Sequence, residues 1–233
     1  MKEWYEEVLN AYEKMGMENI IPIAHMRVQP HIGILLTDNG LFCGATLVDE
    51  RVTIPCTCKS ECRTAGVNPH PIHDNLSYVA EIPGYEDRHS AYMKQLQKYT
   101  AVCNDGLAKA VLNYLERGTI RYDIKDLIPF CRYSEPQIMI VFTTKSYRVI
   151  PNKAWTNYYL SQLPHNGICA ITGEPDYIPD QYPRGIRYKG DMARLFFSSE
   201  RPLNNMPIIA PGYIASQKII HFLQFLRHES YHI

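Results

Sequence analysis

An α+β fold is expected from three features of this 233-residue chain. Two apolar runs flank Asp38-Asn39-Gly40, two helical periods follow each other between residues 89 and 118, and a short unbroken apolar run lies at 137–143. The hairpin and the isolated strand call for a sheet, and the helices grouped between them call for segregation. The expectation is a small, mostly antiparallel sheet with a hairpin, helices inserted between strands, and a closing C-terminal helix. Residues 1–233 read as one domain, or as two lobes at 1–88 and 89–233.

Each element follows from local chemistry. Trp4, Tyr5, Val8, Leu9 and Tyr12 recur at helical spacing, so residues 3–15 form an amphipathic helix stopped near Gly16. GILLTDNGLFCGATLV, from Gly33 to Val48, is a hairpin because Asn and Gly tolerate the positive φ of a tight turn. A short strand is expected at Val52–Pro55 and another at Leu76–Ile82. AYMKQLQKYTAV and LAKAVLNYLERG carry apolar residues three and four apart, with Asp105 near the start of the second helix and Gly118 after it. A third short helix is expected from Tyr122 to Leu127. QIMIVFT at 137–143, rich in branched residues, reads as a buried strand. Asn152 caps the helix KAWTNYYLSQL, which ends before Pro164. Ile168–Ile171 is a short strand, TGEP a turn, and the closing helix begins near Ile214.

Between the early strands lies IPCTCKSECRTAGVNPHPIHDNLSYVA, residues 54–80. An ordered segment of this length without an apolar period is more than a connector, and it is expected to be a structured recognition loop.

Composition narrows the class. Basic and acidic residues balance at 24 each, so no global field marks nucleic acid, membrane or acidic substrate as the partner. The N-terminus carries Glu3, Glu6 and Glu7 and no apolar run of signal-peptide length, which speaks against export. Seven cysteines, an odd number, suit a reducing cytosol better than a disulfide framework. A cytoplasmic protein without a membrane span is expected.

Several groupings could carry chemistry. Cys56, Cys58 and Cys62, with His70 and His73, offer soft ligands, but spacings of one and three intervening residues make a poor tetrahedral clamp, and free thiols are the simpler reading. A Cys56–His70 or Cys56–His73 nucleophile pair can be drawn, with no supporting signature. Thr172-Gly173-Glu174-Pro175 lacks the spacing of a phosphate loop. Arg184, Arg187, Lys189 and Arg194 are interleaved with Tyr182 and Tyr188, and guanidiniums mixed with rings suit a nucleic-acid backbone. A solvated charged face is the competing reading.

The motifs, taken in order, resemble those of the large subunit of type I-C CRISPR Cascade complexes, the Csd-type large-subunit family. The matching pieces are IPCT at Ile54–Thr57, Arg63-Thr64 before Gly66, PHP at Pro69–Pro71 and DNLSYVA at Asp74–Ala80. HSAYMKQL at His89–Leu96, NYLERGTI at Asn113–Ile120, ICAITGEP at Ile168–Pro175, KGDMARL at Lys189–Leu195 and GYIASQK at Gly212–Lys218 follow. The resemblance implies a non-catalytic subunit with no cofactor or metal. Such a subunit binds double-stranded target DNA near the protospacer-adjacent motif, contacts Cascade subunits and crRNA, and presents the complex to a recruited helicase-nuclease. By residue type and by position in these motifs, Arg63, Asn68, His70 and Asn75 become donors to groove edges or phosphates. Arg184, Arg187, Lys189 and Arg194 suit the backbone.

Family members are usually longer, so this chain is expected to correspond to their N-terminal portion. They also carry an FTxRGRF-like segment where this chain reads SSERPLNNMPIIAPGY. Two readings follow, antiviral effector module or free-standing shortened homologue that occupies the large-subunit position and blocks interference as an anti-CRISPR decoy. A metal- or thiol-dependent enzyme is the third.

Overall fold

The computed structural model describes residues 2–16, 20–147, 152–184, Ile186, 194–196 and 208–230. The chain forms two compact units: residues 1–25 with 159–233, and residues 26–158. Helices and small mixed sheets make both α+β. The lobe boundary expected at residue 88 falls within a helix of the larger unit.

The larger unit is built on a four-stranded sheet. Strand β1 (His25–Val28) pairs with β4 (Val52–Pro55) as a separate ribbon. Strands β2 (Ile32–Leu36) and β3 (Phe42–Leu47) form the expected hairpin, with Ile32 opposite Leu47. Gly40 at its turn has φ of 80°, and a Cβ there would lie 2.4 Å from the Ala110 carbonyl oxygen, so only glycine fits against the helix behind it.

Helix α2 (Cys58–Glu61) follows, then β5 (Asp74–Asn75), α3 (Leu76–Val79), α4 (Glu86–Val102), α5 (Gly106–Leu115) and α6 (Ile120–Asp123). The expected third helix thus starts at Ile120 and has ended by Ile124. Strand β6 (Met139–Thr144) inserts between β2 and β5, parallel to the first and antiparallel to the second. Its apolar run is buried, as expected of a central strand. The parallel pairing reflects the long helical crossover that separates β2 from β6.

One expected strand is a helix. Leu76–Val79 is α3, and all four of its side chains are buried. Pairing with β6 ends at Asn75, and Ala80 N–H turns back to the Leu76 carbonyl at 2.9 Å. A four-residue buried run satisfies either period, so local spacing does not decide between them.

Asp105 caps α5 by accepting Ala108 N–H at 3.0 Å, as its position in the sequence predicts. Helix α7 (Lys153–Ser161) is capped in turn by Asn152, which accepts Trp155 N–H at 3.0 Å. The indole of Trp155 donates to the Cys56 carbonyl at 3.1 Å and packs edge-on against Tyr99.

The smaller unit holds helix α1 (Lys2–Lys14), a three-stranded sheet and helix α8 (Tyr213–Ser230). In the sheet, β7 (Gly167–Cys169) lies between β8 (Pro175–Asp176) and β9 (Ile208–Ala210), antiparallel to β8 and parallel to β9. Its core joins Val8, Cys169, Ile171, Tyr182, Phe196, Ala215, Ile219 and Ile220. Lys218 on α8 pairs with Glu13 on α1.

Candidate functional site

The segment from Pro55 to Ala80 is an ordered loop, shaped by three local devices. At its start Thr57 and Ser60 form a reciprocal capping box on α2, each side chain accepting the other's backbone N–H at 3.0 and 2.9 Å. Thr64, Ala65, Gly66 and Val67 make an exposed tip, with Gly66 at a φ of 77°. Ile72, a β-branched residue, holds a φ of 63° while His73 N–H bonds the Pro71 carbonyl at 2.6 Å. That arrangement is a γ-turn of the rarer, strained hand, and strain of this kind persists only where surroundings over-determine it.

Asp74 supplies that determination. Its carboxylate is fully buried and accepts from four donors. Arg63 donates from Nη1 to Oδ2 at 2.9 Å and from Nη2 to Oδ1 at 2.8 Å. The backbone N–H groups of His70 and Asn75 add bonds of 2.7 Å each. Arg63 Nη1 also reaches the Asn68 carbonyl at 2.9 Å. One bidentate pair therefore ties residues 63, 68, 70, 74 and 75 together. Burial works against the Arg63 charge, but the hydrogen bonds and charge of Asp74 more than offset it and raise its pKa. Desolvation pushes His70 down to about 4, with Asp74 pulling the other way and Arg63 adding to the drop. His70 is therefore neutral near pH 7. His73 sits under the sheet, where Nδ1 accepts Phe142 N–H at 3.1 Å.

Helix α4 cradles this loop with one face. Arg88, Tyr92 and Gln95 follow at helical spacing, and each bonds the loop or α3. Tyr92 donates to the Ile72 carbonyl at 2.7 Å, and Gln95 to the Pro69 carbonyl at 3.4 Å. Arg88 Nη1 reaches Ser77 Oγ at 3.3 Å, while His89 Nδ1 donates to the Tyr78 carbonyl at 2.9 Å. The Tyr78 ring lies 4.5 Å from the Arg63 guanidinium and 5.5 Å from that of Arg88, and Arg88 also stands 4.8 Å from the Tyr85 ring. Tyr78 hydroxyl accepts Asn68 N–H at 3.4 Å.

The structure thus gathers Arg63, Asn68, His70 and Asn75 into one loop of the larger unit. His70 is buried and Arg63 largely so, whereas Asn68 and Asn75 are half-buried. Their side-chain amides make no hydrogen bond to the described residues. Arg184 and Arg194 belong to the smaller unit, both half-buried, and Arg187 and Lys189 lie outside the described residues. Tyr182 and Phe196, which bracket this stretch, are buried with rings 5.6 Å apart, and Tyr182 donates to the Pro211 carbonyl at 2.5 Å. Sequence reasoning passed over Asp74, Tyr78, Arg88, Tyr92 and Gln95. The 88/92/95 spacing of hydrogen-bonding side chains was the available signal for the cradle.

Cys56 and Cys58 are buried and Cys62 is half-buried, and burial raises the Cys56 thiol well above its ordinary value. Among the described residues no group of three or more His, Cys, Asp or Glu side chains is placed to hold a metal ion.

The family described as CRISPR-associated protein (Cas_Csd1) matches residues 2–196. No curated protein matches the chain. The match covers most of the chain, which therefore belongs to the Cas_Csd1 family.

Proposed function

We propose, taking membership of the CRISPR-associated Cas_Csd1 family as the premise, that this chain is a non-catalytic large-subunit module of a type I-C Cascade. In this reading it grips target duplex DNA beside the protospacer-adjacent motif, docks on the subunits that hold the crRNA, and offers the assembly to a helicase-nuclease. Guide pairing reads most of a target, so a protein in this position needs only a short, rigid reader. The observation that carries the reading is the loop of residues 55–80, fixed by the buried Arg63–Asp74 pair and the α4 cradle, with its tip at 64–67 exposed. A recognition element works best when side chains behind it lock its shape. Asn68 and Asn75 retain free amides for base edges or phosphates. Arg184, Arg187, Lys189 and Arg194 supply backbone charge from the other unit. Among the described residues no helix is long and apolar enough to cross a membrane, and a cytoplasmic site of action is part of the proposal.

The test is reconstitution. A type I-C complex lacking its large subunit is supplied with this chain, and binding to target duplex is measured with and without the adjacent motif. Motif-dependent binding supports the module. Incorporation without DNA binding, with displacement of the full-length subunit, identifies an inhibitor that occupies the same place. Failure to associate sinks both.

A further inference from the structure

We propose that Arg88, rather than Arg63, is the guanidinium this loop presents to duplex DNA, and that Arg63 is a positioning residue acting through Asp74. The inference rests on the DNA-binding reading above and assigns the contact within that site.

The two arginines flank the same ring and have different company. Both terminal nitrogens of Arg63 are engaged by the buried Asp74 carboxylate, with the Asn68 carbonyl as a third acceptor. Its charge is matched one for one, and its fork points into the loop. Arg88 has no carboxylate within ion-pair distance among the described residues, and its one side-chain bond, to Ser77, uses Nη1. Its remaining donors have no acceptor there. The Tyr78 and Tyr85 rings hold the guanidinium by cation–π contact, which fixes its position without consuming its N–H groups. Arg88 is half-buried, so its fork is both restrained and reachable. Tyr78 ties it to the exposed tip, since the Tyr78 hydroxyl accepts the Asn68 N–H.

A restrained guanidinium with open donors fits a pair of adjacent hydrogen-bond acceptors. On duplex DNA such pairs are the oxygens of a phosphate or the O6 and N7 of guanine. The two sources separate experimentally: losing a phosphate contact weakens all sequences alike and reduces the salt slope by about one, whereas losing a base contact removes discrimination.

The experiment uses the full chain in the reconstituted complex. Kd is measured for duplexes with and without the motif over a range of salt concentrations, alongside the melting temperature of the free chain. Arg88→Ala is expected to lower the melting temperature less than Arg63→Lys does and to weaken binding about tenfold. A guanine contact confines that loss to the motif-bearing duplex, and a phosphate contact spreads it over both. Arg88→Gln, which keeps the stem, serves if Arg88→Ala folds poorly, with the same expected loss. Arg63→Lys is expected to lower the melting temperature and speed proteolysis at residues 64–67, with the salt slope unchanged. Wild-type binding by Arg88→Gln, or a changed salt slope in Arg63→Lys at an unaltered melting temperature, would overturn the assignment while leaving the module reading intact. A wild-type chain that joins the complex and binds no DNA would overturn both.

Discussion

Two arginine-bearing stretches, one in each unit, are held by opposite means. In the larger unit the loop at 55–80 neutralises its own arginine: Asp74 and Arg63 are buried against each other, and backbone N–H groups complete the carboxylate. In the smaller unit Tyr182 and Phe196 are buried with their rings 5.6 Å apart, and Arg184 and Arg194, two residues from each in the chain, are half-buried. Charge used as an internal fastener fixes shape in the larger unit, whereas buried aromatic rings do so in the smaller one. An arginine in a candidate interface therefore means little until its acceptor is known.

The sharpest way to break this contrast is to remove the fastener. Asp74→Ala strands the Arg63 guanidinium and two backbone donors, and should destabilise the larger unit by about 3–5 kcal/mol in urea unfolding. Removing Arg63 as well should restore part of that loss, and a double-mutant cycle measures how much.

Acid sharpens the comparison next. Burial holds His70 in the larger unit and His25 in the smaller unit at about 4, against an ordinary value of 6.5. The unfolded chain binds these protons first, so each group's contribution is complete above pH 6.5 and is lost as pH falls toward 4. The expected loss is on the order of 2–3 kcal/mol per group. Denaturation series at pH 7, 5.5 and 4 check it, and His70→Gln should flatten only the larger unit's response.

Thr57→Ala, which opens the capping box of α2, should cost about 1 kcal/mol by the same measurement. Last comes the pair Arg184→Ala and Arg187→Ala, which should flatten the salt dependence of DNA binding by about two slope units. An unchanged slope would remove the smaller unit from the interface.

Much of this organisation was legible in the sequence. The hairpin at Asn39-Gly40, the caps at Asp105 and Asn152 and the buried run ending at Thr143 are local signals, and each formed where expected. Long-range relations were not legible. Nothing in their spacing pairs Arg63 with Asp74, because the partnership depends on the strained turn at Ile72 that folds the loop back. The strand expected at Leu76–Ile82 is instead a helix at Leu76–Val79, whose buried run is too short to display a period. The setting of Arg88 is only half legible: Tyr85 stands three residues before it at the start of α4, but Tyr78 reaches its guanidinium from α3.

The parallel pairing of β2 with β6 also bears on how the molecule is made. His31 accepts Met139 N–H across 108 residues, and Asp74 takes its register from Ile140 on that same late strand. Apart from Trp155, which bonds the Cys56 carbonyl, the side chains described as shaping the loop lie in β6 or in the chain enclosed between the two partners. Closing so long a span is entropically unfavourable and kinetically slow. On a ribosome, the segment carrying Arg63 and Asp74 emerges well before the strand that sets its register, so the loop is among the last features of its unit to mature.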